Sequence, residues 1–175
     1  PIIYKDVMGY ARIYSIYYND PNKGFEKQAK NSVYYEEAEL KPAISIKDFE
    51  NIWKSLPKSI DFLYLYLHGG KGKLYFKNET MWISQIKRLA SRKVKYHVFL
   101  FSCYGGSGSE GSNVAWAIAK LTNARVTACT GSVSYSRVFG KYFARKAWDW
   151  GCFKVFYYQR KYIWWGPLVA KSSPV

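Results

Sequence analysis

Apolar residues gather into two nearly unbroken runs, 60–67 (IDFLYLYL) and 96–102 (YHVFLFS), and elsewhere recur at intervals of three and four. Short continuous runs of this kind, rich in β-formers, predict central strands buried on both faces. Residues 11–18 (ARIYSIYY) predict another strand, closed by the turn chemistry of 19–22 (NDPN). The segment 23–43 is polar and lacks a clear period, and 33–40 fits either a strand or a short helix. Ser45 with Asp48 three residues on matches the capping-box spacing, and Ile46, Phe49, Ile52, Trp53 and Leu56 follow at helical intervals until Pro57. Further helices are predicted over 82–92, with Trp82, Ile86 and Leu89 on one face, and over 112–121, with Val114, Ile118 and Leu121 on one face. Residues 71–78 read as a small hairpin or loop. Short strands are expected at 125–130, 153–158 and 162–165. Strands alternating with helices predict an α/β fold, a mostly parallel central sheet with helices on both faces in a three-layer sandwich.

Composition changes this picture little. The 175 residues are 49% hydrophobic and 19% aromatic, enough for one cored domain over 1–175 and unlike a disordered chain. No apolar run approaches the ~20 residues of a membrane span. The chain opens on Pro1 rather than Met, which predicts a processed product or a domain excised from a longer chain. Three cysteines, Cys103, Cys129 and Cys152, do not make a disulfide framework, and two histidines, His68 and His97, do not make a zinc site. His97, Cys129 and Cys152 read as packed residues. The tryptophans Trp53, Trp82, Trp116, Trp148 and Trp150 read as core or helix-packing residues.

Charge adds a partner. The net charge is +15, and residues 81–175 hold 15 Lys and Arg against two acids, Glu110 and Asp149. An acidic partner for this half is expected: a nucleic acid, a phosphorylated ligand, an anionic surface or an acidic protein. A solvated, solubilising face is the plain alternative.

The candidate chemistry lies where the two buried strands end. One ends at His68-Gly69-Gly70 and the other at Cys103-Tyr104-Gly105-Gly106. Sites in open α/β sheets form beyond the carboxyl ends of the strands, so neighbouring strands would bring His68 and Cys103 together. An imidazole beside a thiol promotes thiolate formation, and attack on a peptide carbonyl needs donors for the oxyanion. The backbone amides of Gly69 and Cys103 are the candidates, with the helix opening near Gly111 or Ser112 as a further dipole if its N-terminus points at the thiol. The glycine-rich stretch 105–111 has neither the lysine of a P-loop nor the dinucleotide spacing.

This order, strand–His–Gly, helix, strand–Cys–x–Gly, resembles the caspase, gingipain and legumain superfamily of cysteine peptidases over roughly residues 60–137. The resemblance implies a caspase-like fold and a dyad with His68 as base, Cys103 as nucleophile and the Gly69 and Cys103 amides as oxyanion hole, with no cofactor required. Phe101-Ser102-Cys103 replaces the Gln-Ala-Cys of caspases, and the 35-residue spacing from His68 to Cys103 is shorter than their ~50. The chain looks more like compact bacterial relatives carried as peptidase domains within toxins. That likeness implies a secreted effector delivered into a target cell, a protein or peptide substrate and an acidic inhibitor protein. It also implies inositol hexakisphosphate as a candidate activator for the basic half and its tail, 154–165. The resemblance to caspases also implies a cleft-lining loop with a Ser-aromatic-Arg element over 130–137 (TGSVSYSR), which makes Ser134, Tyr135 and Arg137 candidate cleft residues. Arg137 would favour an acidic substrate side chain, and Asp149 or Glu110 a basic one. The rival readings are a basic nucleic-acid-binding or nuclease toxin domain, and an inactive binding domain on the same fold. Two acids in the second half disfavour metal-dependent nuclease chemistry.

Overall fold

A computed structural model describes residues 12–31, 38–138, 141–146, 153–156 and 163–166; among strand residues beyond 135, the side chain of Phe156 alone is described. Five parallel strands form the centre of a seven-stranded sheet: β1 (Ile13–Tyr18), β2 (Glu39–Ala43), β3 (Ser59–Tyr66), β7 (Lys93–Phe101) and β8 (Arg125–Cys129), in the spatial order β2-β1-β3-β7-β8. Beyond β8 the sheet continues antiparallel through β11 (Phe153–Phe156) and β12 (Ile163–Gly166). The expected α/β architecture is therefore the observed one.

Strand periodicity distributes the core between two layers. Ile16, Leu63, Leu65, Val98, Leu100, Val126 and Ala128 point to one face. There they meet Phe49 and Trp53 of α2 (Ile46–Ser55), Ile86 of α3 (Ile83–Ile86) and the apolar side of α4 (Val114–Thr122). Ile13, Tyr17, Tyr64, Tyr66, Phe101 and Cys129 point to the other face, where α1 (Gly24–Lys30) packs through Ala29. Aromatic pairs bind strand to strand on that second face: Tyr64 stacks on Phe99 and Tyr66 lies against Phe101, both at 4.9 Å between ring centres. The capping box of α2 forms as expected. Ser45 Oγ accepts from the Asp48 amide and Asp48 Oδ2 accepts from the Ser45 amide, each at 3.1 Å.

Other expectations are corrected. The helix over 82–92 shrinks to the single turn of α3, and Trp82 ends a strand, 53% exposed, with the Lys73 ammonium 4.8 Å above its ring. Helical spacing there coincided with a hairpin edge. Three short antiparallel strands, β4 (His68–Gly70), β5 (Lys73–Phe76) and β6 (Glu79–Trp82), form a separate sheet beginning at His68 itself. A strand pair also follows β8, β9 (Val133–Val138) with β10 (Lys141–Lys146), where a loop was expected. Residues 32–37, Trp148, Asp149, Trp150 and Cys152 lie outside the described residues. No described helix is long and apolar enough to cross a membrane.

Candidate active site

The sheet is built outward in two directions. The chain steps from β1 to β2 on one side, then crosses back to place β3 on the other side of β1. The loops leaving β1 and β3 diverge at this reversal, which opens a crevice at their carboxyl ends. The β1 loop enters it with Asp20, the end of β3 with His68, and the end of the adjacent β7 with Cys103.

A cleft of ≈ 310 Å³ occupies this edge. One wall comes from Asp20 and from Gly24, Phe25 and Gln28 of α1. Leu67 and Phe101 contribute from the ends of the central strands, and Val133 and Tyr135 of β9 from the far side. His68 and Cys103 both line it, so the two residues that the sequence singled out share one cavity.

His68 is held by aromatic contacts. Its ring meets Phe25 edge-on at 4.7 Å and Tyr18 at 5.4 Å, while the residue as a whole remains exposed. This packing desolvates the imidazole and lowers its pKa below the usual histidine value, and the Asp20 carboxylate pulls weakly the other way. A neutral imidazole at neutral pH can accept a proton.

Cys103 is half-buried, in the turn that follows β7. The Val133 amide donates to its Sγ at 3.3 Å, and the thiol faces the Val133 carbonyl at 4.0 Å. Tyr104 holds a left-handed φ of 55°, and its amide donates to the Gly131 carbonyl at 2.7 Å. The Gly105 amide binds the Ser102 carbonyl at 3.2 Å and the Gly106 amide the Cys129 carbonyl at 2.9 Å. The Cys103 amide, in contrast, donates to no acceptor among the described residues.

Gly69 does something beyond admitting substrate. A Cβ there would lie 1.9 Å from Ser102 Oγ and 2.9 Å from the Cys103 carbonyl oxygen, so its glycine lets the His68 segment pack on the end of β7. Gly105 and Gly106 likewise leave room for Leu100 and Phe156. The α4 helix starts later than expected. Asn113 caps it, accepting from the Trp116 amide at 3.2 Å, and the Ala115 amide donates to the Gly105 carbonyl at 2.9 Å. Its first-turn amides are directed at the chain itself, not at the thiol from Gly111 or Ser112.

Of the three expected cleft residues, Tyr135 lines the cleft. Ser134 points elsewhere, its hydroxyl buried without a hydrogen-bond partner among the described residues, because adjacent strand residues face opposite sides. Arg137 lies on β9 with its side chain outside the described residues, as do the side chains of Lys154, Trp164 and Trp165. His97 is away from the cleft: its Nε2 lies 2.6 Å from Thr127 Oγ1, and burial, helped by Arg125, lowers its pKa to about 4. Among the described residues no group of His, Cys, Asp and Glu could hold a metal ion.

Asp20, Phe25, Gln28 and Val133 escaped the sequence reading. Asn19-Asp20 was legible only as turn chemistry, although the rule that led to His68 and Cys103 applies equally to the end of β1. The chain matches no protein-family model, and a search of curated proteins finds no significant relative.

Proposed function

We propose that the chain is a cysteine endopeptidase of the caspase, gingipain and legumain type. The observation that carries this reading is the convergence of His68 and Cys103 on one cleft at the carboxyl edge of neighbouring parallel strands. In this reading His68 takes the Cys103 proton as sulfur attacks the substrate carbonyl carbon. The oxyanion forms against the Cys103 and Gly69 amides. The C–N bond then breaks as the imidazolium returns its proton to the leaving amine, which leaves a thioester on Cys103. Water, losing a proton to His68, hydrolyses the thioester and restores the thiol. The basic charge of residues 81–175 fits a secreted toxin-type effector with a polyanionic activator or an acidic inhibitor protein.

Mass-spectrometric mapping of new protein N-termini in a cell lysate tests the reading. The chain is expected to generate a recurrent cleavage motif that disappears with both Cys103→Ala and His68→Ala. Identical N-termini from chain and variants, with and without inositol hexakisphosphate, would overturn it in favour of a binding domain on this fold.

A further inference from the structure

Two acceptors that line the cleft, Asp20 and Gln28, lack a full set of partners among the described residues, and on the peptidase reading this specifies its substrate. Among the described residues that line it, Asp20 is the single carboxylate and none is a Lys or Arg. One Asp20 oxygen, Oδ1, accepts from the Gly24 amide at 2.8 Å and fixes the carboxylate at the start of α1. Its second oxygen has no hydrogen-bond partner among the described residues. Across the same wall Gln28 Oε1 is buried without a hydrogen-bond partner among the described residues, an arrangement that is costly unless something fills it. In this orientation the amide presents its oxygen as an acceptor. Between these polar groups and the reacting pair, Phe25, Phe101 and Tyr135 supply aromatic surface. Lys23, just before α1, and Lys27 on it are exposed and line no part of the cleft.

We infer that the cleft selects a basic side chain, Lys or Arg, at the substrate residue whose carbonyl Cys103 attacks. The aliphatic stem of such a side chain lies along the aromatic walls, and its cationic head reaches the open oxygen of Asp20 and the amide of Gln28. Of the earlier candidates for substrate charge, Glu110 does not line the cavity as Asp20 does, and Asp149 and the side chain of Arg137 lie outside the described residues. An acidic substrate side chain would face Asp20 with no cation among the described lining residues to offset it.

The test is a series of fluorogenic peptides identical except for Lys, Arg, Leu or Asp before the scissile bond, with Cys103→Ala as background. The chain should favour Lys and Arg over Leu by on the order of 100-fold in kcat/KM. Asp20→Asn, which retains an oxygen for the Gly24 amide, should reduce that ratio below about 10-fold, the loss expected when one charged partner is neutralised. Gln28→Leu should lower it as well, independently of the turn at Asp20, with melting curves confirming that both variants fold. Cleavage without basic preference would overturn the inference and leave the peptidase reading standing. So would an equal loss on every peptide in Asp20→Asn, which would make Asp20 a positioning residue for His68. No cleavage above the Cys103→Ala background for any peptide would instead defeat the peptidase reading and this inference with it.

Discussion

The two histidines occupy opposite kinds of environment, and each has a measurable consequence. His97 is enclosed between Phe99, at 4.5 Å, and Thr127, next to Arg125, and stays neutral to about pH 4. An unfolded chain binds that proton near pH 6.5. The folded chain therefore holds the full benefit of a neutral His97 above about pH 6.5 and loses it progressively as the pH falls towards 4. The loss amounts to ~3 kcal/mol at the acid end. His97→Gln is expected to flatten the dependence of stability on pH across this window in denaturant titrations. His68 is held by Phe25 and Tyr18 yet open to water, and its lowered pKa extends the neutral base below the usual histidine range. His68 was legible as a candidate base because a His-Gly pair closes an apolar run. Its aromatic clamp was not, because Phe25 sits in a segment (GFEKQAK) with too few apolar positions to announce a helix.

At the scale of elements, continuous runs and caps were the readable signals. The strands β3 and β7 are buried on both faces and so keep no polar alternation, which is what made them conspicuous in the sequence. The α2 helix was bounded by its capping box and by Pro57. The β9–β10 pair was hidden, since VSYSRV reads equally as a loop. Yet β9 supplies both the far wall of the cleft and the amide that reaches Cys103. Val133→Pro removes that donor at the first residue of a strand, where proline is tolerated. The variant is expected to fold while its Cys103 reacts with iodoacetamide about 10-fold more slowly at neutral pH, the effect of losing one hydrogen bond of about 1.4 kcal/mol to the reacting sulfur. Alkylation followed by mass spectrometry, with Cys129 as a buried internal reference, measures this directly.

At the scale of the molecule, a local acceptor-rich cleft sits within a chain of net charge +15. The two act over different distances. The long-range field attracts anionic segments, whereas Asp20 acts within hydrogen-bond reach. On the peptidase reading proposed above, the favoured substrate is a basic residue embedded in an otherwise acidic stretch. For such a peptide kcat/KM is expected to fall on the order of 10-fold between ~10 mM and ~150 mM salt, as the screening length contracts from ~30 Å to ~8 Å. A net-neutral peptide with the same basic residue should change much less. Stopped-flow or progress-curve assays across ionic strength separate the two. The charge asymmetry was plain in the sequence; the place of Asp20 in the cleft was not, because it depends on the order of strands in the sheet.

That order has a kinetic side. The cleft draws on the loop after β1, the ends of β3 and β7, and β9, segments spread from Asp20 to Tyr135 and joined through parallel pairings. Parallel pairing closes long loops before any contact rewards them, so assembly is slow and no hairpin-sized fragment contains the site. A partly folded chain holds the thiol and the imidazole without the walls that make them a pair. Cys103 is therefore a clock for the last stage of folding: the moment at which its reactivity departs from that of a free cysteine marks the closing of the sheet.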